Sequence, residues 1–123
     1  MTSVQSPPEL RNFSAGNLLV RRGLGWDIDT PYSAAPDAPT LSTRHRGAWF
    51  PIGGYGHTGW TGQMLWIDPF SKTFVIFLCN RYVPDAKDTR PAVYQMHHHI
   101  ATLAAEAVKG FDFKNVPGAL PKR

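Results

Sequence analysis

The sequence contains a single cysteine, Cys79, in 123 residues. One thiol excludes any disulfide within the chain and leaves the redox compartment open. No apolar run approaches the ~18 residues of a membrane-spanning helix, and the opening MTSVQSPPEL has no signal-peptide core. The expectation is therefore no membrane span, no visible export address and no assigned compartment. Charge is sparse, with 18% of residues Asp, Glu, Lys or Arg against a usual quarter. Thirteen Lys and Arg against nine Asp and Glu leave a net charge of +4. The basic residues are scattered, the tightest groups being Arg21-Arg22 and Arg44-His45-Arg46. Small groups of this kind belong to a solvated face, so nucleic acid is not an expected partner. Internal repeats and low-complexity tracts are absent as well.

What is present points to one globular domain over residues 1–123. The hydrophobic content is 42%, with 12% aromatic residues, which excludes a disordered chain. Eleven Gly and eleven Pro exclude a long coiled coil and promise many turns. Residues 1–22, interrupted by Pro7, Pro8 and Gly16, read as a loosely held lead-in, and 111–123 as a loosely held basic tail. Leu24–Asp29 alternates, with Leu24, Trp26 and Ile28 on one side, which predicts a half-buried strand. Residues 30–51 read as a long connecting loop.

Three strand-like segments follow: the glycine-rich Gly53–Gly62, then Gln63–Asp68, then Thr73–Asn80. Asp68-Pro69-Phe70-Ser71-Lys72 is a turn sequence short enough to join antiparallel neighbours. The third segment is apolar without alternation from Phe74 to Cys79, which predicts a strand inside the sheet and covered on both faces. Cys79 is expected there as a buried, inert thiol. A helix start follows at Asp88-Thr89-Arg90-Pro91. Val93, Met96, Ile100, Leu103 and Ala107, flanked by Ala104 and Val108, form an apolar stripe on a helix closed by Gly110. The fold class that results is α+β: an antiparallel sheet of three to four strands with a C-terminal helix packed on one face. One helix covers one face, so the third strand asks for cover that the chain does not supply.

The densest chemical signal is Gly56-His57-Thr58-Gly59-Trp60-Thr61-Gly62. Glycine weakens a strand, and its repetition here points to close backbone approach by something else. Glycine at 59 removes a Cβ that would obstruct a ligand along the strand. Thr58 offers a hydroxyl, His57 a titratable ring, and the backbone N–H groups can hold an oxyanion. The alternative is a sheet corner with a hydrogen-bonded histidine. His97-His98-His99 suggests a metal site, but successive helical residues point about 100° apart and cannot converge on one ion. The three histidines are expected on a solvated helix flank, with no metal and no cofactor. Trp49, Trp60 and Trp66 are candidates for an aromatic wall, with Trp66 better placed in the core and Trp60 at a cleft rim.

The segment GYGHTGWTGQMLWIDPFSKTFVIFLCNR, preceded by RGLGWDID, resembles the C-terminal portion of the serine β-lactamase-like family, from about Val4 to Gly110. That family embraces class C β-lactamases, penicillin-binding DD-peptidases and related esterases. The resemblance implies an incomplete β-lactamase/transpeptidase-like fold, since family members lay an N-terminal helix and two further strands on this sheet. It also implies that His57-Thr58-Gly59 is the triplet lining one wall of the active site. His57 then supplies charge or a proton relay, Thr58 and Gly59 contact substrate, and the Trp60 backbone N–H is one of two oxyanion-hole donors. A histidine in place of lysine titrates near ~6.5 rather than staying cationic, which favours ester or peptide substrates over β-lactams.

The family nucleophile lies in Ser-x-x-Lys. None of Ser3, Ser6, Ser14, Ser33, Ser42 or Ser71 has lysine three residues on. The expectation is the C-terminal part of a serine hydrolase, silent alone, taking a small-molecule acyl, ester or peptide substrate once complemented. The alternative is a non-catalytic binding or assembly module using an exposed sheet edge, with a homodimer as its natural product.

Overall fold

The structure, a computed structural model, describes residues 1–7, 9, 11–12, 18–19, 22–28, 45–82 and 89–119. Asp85, Asp88 and most of the 30–51 loop lie outside the described residues. Two short strands, β1 (Arg11–Asn12) and β2 (Leu18–Leu19), pair antiparallel in the lead-in. A four-stranded antiparallel sheet follows in chain order: β3 (Asp27–Ile28), β4 (Tyr55–Thr58), β5 (Met64–Asp68) and β6 (Thr73–Phe77). Helix α1 (Arg90–Ala107) closes the fold. The architecture is α+β, an antiparallel sheet with one helix packed on one face. Among the described residues no helix is long and apolar enough to cross a membrane.

The strands are shorter than the sequence pattern suggests. Among the described residues of this stretch, 24–28, only Asp27–Ile28 pairs within the sheet, and Leu24 is exposed rather than facing the core. Glycine decides the limits of β4. Gly59–Gly62 leaves the ladder as a turn, because Gly62 adopts φ +99°, a left-handed conformation that side chains resist. The β5–β6 connection forms where the Asp-Pro-Phe-Ser-Lys sequence requires it. The buried Asp68 carboxylate accepts hydrogen bonds from the Ser71 N–H at 2.9 Å and the Ser71 hydroxyl at 2.5 Å. Lys72 turns the chain at φ 57°.

Register assigns the faces. Gly56, Trp66 and Val75 lie abreast, as do Thr58, Met64 and Phe77. These residues share the face on which α1 packs, since side chains alternate along each strand. Phe50, Met64, Trp66, Val75, Ala101 and Ala105 form the core, with Phe77, Ile100, Ala104 and Phe113 against its rim. On the other face the row His57, Leu65 and Ile76 runs beside Tyr55, Ile67 and Phe74.

Two readings of the apolar pattern need correction. β6 was expected inside the sheet with cover on both sides. Among the described residues it is an edge strand, and Phe74, Ile76 and the following Leu78 are exposed, Leu78 at 79%. Cys79 lies beyond β6 and is half-buried. The helix stripe is also rotated. Val93 faces the core as expected, but Met96 and Leu103 are exposed, and Val93, His97, Ala101 and Ala105 are the buried series. The small alanines belong under the sheet because the Trp66 indole already occupies the space between the layers. At the helix start Thr89 makes no side-chain capping hydrogen bond, and Pro91 occupies the first turn.

The segment entering β4 is anchored to the back of α1. The backbone of Gly47, at φ +70°, passes so close to Ala101 and Thr102 that a Cβ would lie 2.5 Å from the Thr102 nitrogen. The Ala48 N–H donates to the Thr102 hydroxyl at 3.0 Å, and the Trp49 indole N–H to Glu106 at 3.0 Å. Arg46, itself buried, donates to the Phe50 carbonyl at 2.7 Å. Trp66, 2% exposed, is the central block of the core. Trp66→Ala is expected to destabilise the domain by about 3–5 kcal/mol, read as a lowered urea midpoint with a nearly unchanged slope.

Candidate functional site

β4 extends past its neighbour. β3 pairs only with Tyr55 and Gly56, so on that side His57 and Thr58 have no ladder partner among the described residues. Their backbone edge lies where an extended substrate segment can align with it. His57 is exposed and Thr58 half-buried, and alternation sends their side chains to opposite faces. The triplet is thus contiguous, but its two polar side chains diverge. The His57 Nδ1–H reaches the Thr58 carbonyl at 2.8 Å. That leaves Nε2 as the acceptor of the neutral ring, and it faces Arg22 Nη1 at 3.4 Å.

Arg22 escaped the sequence reading, where it appeared only as half of a scattered basic pair. The isolated bridge between Arg22 and Asp27 brings it to the site. Its Nε lies 2.9 Å from Asp27 Oδ1. Asp27 is buried, and burial pushes its carboxyl above the ordinary carboxylate range despite the opposing attraction of Arg22 and His57. A guanidinium therefore stands beside the first residue of the triplet, fixed by a carboxylate behind it. A cation is present at this strand although the triplet carries histidine.

The turn after the triplet is held at several points. The Gly59 N–H donates to the Gln63 carbonyl at 2.8 Å, and the Gly62 N–H to the Gly59 carbonyl at 2.9 Å. The Arg81 N–H donates to the Thr61 carbonyl at 2.9 Å. A Cβ at Gly59 would collide with the Gln63 amide, and one at Gly62 would lie 2.8 Å from Cys79 Sγ. Trp60 sits at the exposed crown of this turn, 77% accessible, with the Arg81 guanidinium 5.7 Å from its ring centroid. None of the backbone hydrogen bonds that hold the turn uses the Trp60 N–H. It is a donor on a rigid, open turn.

The other tryptophans do not join Trp60. Trp66 is in the core and Trp49 lies against Glu106 and Lys114 at the far end of α1, so an aromatic wall is not formed. The histidine run is corrected as well. His97 is not on a solvated flank but is fully buried, because it falls four residues after Val93 and four before Ala101. That i, i+4 placement was the available signal. His97 Nε2 lies 2.7 Å from the Gly62 carbonyl oxygen and Nδ1 lies 3.0 Å from Nδ1 of buried His45. Burial lowers the pKa of both rings, that of His45 to about 3 with the adjacent His97 adding to the shift.

These depressed values set a pH dependence. An unfolded imidazole accepts a proton near ~6.5, whereas folded His45 resists doing so until about pH 3. Below ~6.5 the unfolded chain binds more protons, so stability falls with falling pH, by up to about 1.4 kcal/mol per unit for each such histidine. Urea midpoints are expected to be flat from pH 8 to 7 and to drop from pH 6.5 to 5. His45→Leu is expected to make that drop shallower.

The sequence profile of the family described as "Beta-lactamase" matches residues 2–98. Curated relatives from Salmonella paratyphi B, Salmonella newport and Salmonella heidelberg, each bearing the name "Putative D-alanyl-D-alanine carboxypeptidase", are 30% identical over 98 residues. The alignment covers 80% of this chain and 20% of each relative, so the chain spans about a fifth of their length. No solved structure matches.

Proposed function

The chain belongs to the β-lactamase family, and from that premise we propose that it forms one wall of a serine acyl-hydrolase site whose nucleophile lies outside these 123 residues. In this reading the free edge of β4 at His57–Thr58 aligns an acyl or peptide substrate by backbone pairing, and the Trp60 N–H stabilises the oxyanion. Gly59 leaves room for the Gln63 side chain that packs against the turn, and Thr58 supplies a hydroxyl at the end of the strand. His57 and Arg22 together provide the proton-relay and cationic character at the triplet. A Ser-x-x-Lys element supplies the attacking oxygen. The relatives' name favours a peptide ending in D-alanine over other acyl compounds. The observation that carries the reading is the conjunction of a β4 edge at His57–Thr58 without a ladder partner among the described residues and a Trp60 N–H that none of their backbone hydrogen bonds uses.

The chain alone is expected to turn over neither a chromogenic ester, a chromogenic β-lactam nor a D-Ala–D-Ala peptide. A fluorophosphonate probe is expected to label none of its serines. Once a segment carrying Ser-x-x-Lys is supplied, turnover is expected, and Gly59→Val should lower kcat by roughly 10²–10³-fold, the scale of one lost oxyanion donor. Turnover by the unaided chain, with label on one of its own serines, overturns the proposal.

A second reading has an observation of its own: the exposed row Phe74, Ile76 and Leu78 along a strand that is at the sheet edge among the described residues. Such an edge can pair with a second copy. Light scattering distinguishes the two, a dimer dispersed by Ile76→Lys supporting assembly and a monomer removing that reading.

A further inference from the structure

The buried histidine pair behind the Gly59–Gly62 turn is not used by the hydrolase reading, yet its chemistry is directional. The Gly62 carbonyl oxygen can only accept, so Nε2 of His97, 2.7 Å away, carries the hydrogen. Both rings are held neutral by burial. A neutral imidazole has one N–H, so Nδ1 of His97 presents a lone pair. Nδ1 of His45, 3.0 Å from it, must then carry its hydrogen there. The result is a one-way chain: His45 Nδ1–H to His97 Nδ1, then His97 Nε2–H to the Gly62 oxygen.

The rings have little freedom to depart from this arrangement. His97 meets Phe77 edge-on at 5.3 Å, and His45 meets Tyr94 edge-on at 5.2 Å. The histidines are thus built into the contact between α1, β6 and the segment that enters β4. Gly62 transmits the constraint outward. Its carbonyl is fixed by His97, and its N–H donates to the Gly59 carbonyl across the turn that presents Trp60.

We propose that His97, kept in its Nε2–H tautomer by His45, is a positioning residue that sets the direction of the Trp60 backbone N–H. The proposal deepens the hydrolase reading and rests on it for its catalytic meaning. The geometric claim can be read without turnover. In wild-type protein, imidazole ¹⁵N spectra are expected to show His97 protonated at Nε2 and His45 protonated at Nδ1. His97→Leu removes the donor within an apolar volume, and His97→Gln keeps an N–H at the position of Nε2.

The amide resonances of Gly62 and Trp60 are expected to move in His97→Leu and to return towards their wild-type positions in His97→Gln. Two results overturn the proposal: the opposite tautomers in the wild type, or a Trp60 amide that does not respond to His97→Leu. If His97→Leu fails to fold, the wild-type tautomers and the His97→Gln spectrum decide, a displaced Trp60 amide in the latter counting against it. In the complemented enzyme His97→Leu is expected to lower kcat about tenfold or more with KM little changed, and His97→Gln to recover most of the loss. A turn that moves without changing kcat removes the oxyanion role of Trp60, whereas a turn that does not move removes the positioning role of His97.

Discussion

A carbonyl buried without a donor costs about 1–3 kcal/mol, and the Gly62 carbonyl avoids that cost through one hydrogen bond from His97. Much of the described structure depends on meeting this requirement. The donor must come from α1, so the helix has to present position 97, not 96 or 100, to the sheet. That fixes the helix rotation and places Ala101 and Ala105 under Trp66. The donor must also be in the right tautomer, which draws the His45 segment against the helix, where Gly47 has no side chain to hold it off. Packing and polar satisfaction therefore select the same arrangement, as they do where a fold is well specified.

The site side of the sheet follows from an absence of pairing. Among the described residues β3 pairs only with Tyr55 and Gly56, and β4 continues past that pairing. A strand that runs beyond its neighbour has an open backbone edge, and the following turn carries the Trp60 N–H at its crown. Glycines at 59 and 62 let the chain make this turn against Gln63 and Cys79. The cation near the triplet arrives from a different part of the chain. Arg22 is held by the buried Asp27, so its charge is fixed in place by a partner that itself resists ionisation.

Local signals in the sequence identify the sheet. The Gln63–Asp68 strand segment and the Asp-Pro-Phe-Ser-Lys turn each depend on neighbours within a few residues, and β5 and its turn into β6 form there. The helix was identified, but its buried face was not. Met96 and Leu103 are more apolar than His97, and hydrophobicity alone ranks them as core. The decisive partner of His97 is a carbonyl 35 residues away, which no periodicity reveals. Arg22 was missed for the same reason: its contact with His57 spans 35 residues and runs through a single bridge to Asp27. The unbroken apolar run of β6 predicts cover on both faces. It records a demand for cover that the described residues meet on one side only.

That unmet demand has a consequence for how the polypeptide behaves at high concentration. Thr73–Cys79 is a seven-residue stretch without charge, proline or glycine, rich in β-branched and aromatic side chains, and its strand is at the sheet edge among the described residues. This is the composition from which stacked cross-β fibrils nucleate. Lys72 and Arg81 stand near its two ends as gatekeepers, their like charges opposing the in-register stacking of identical chains.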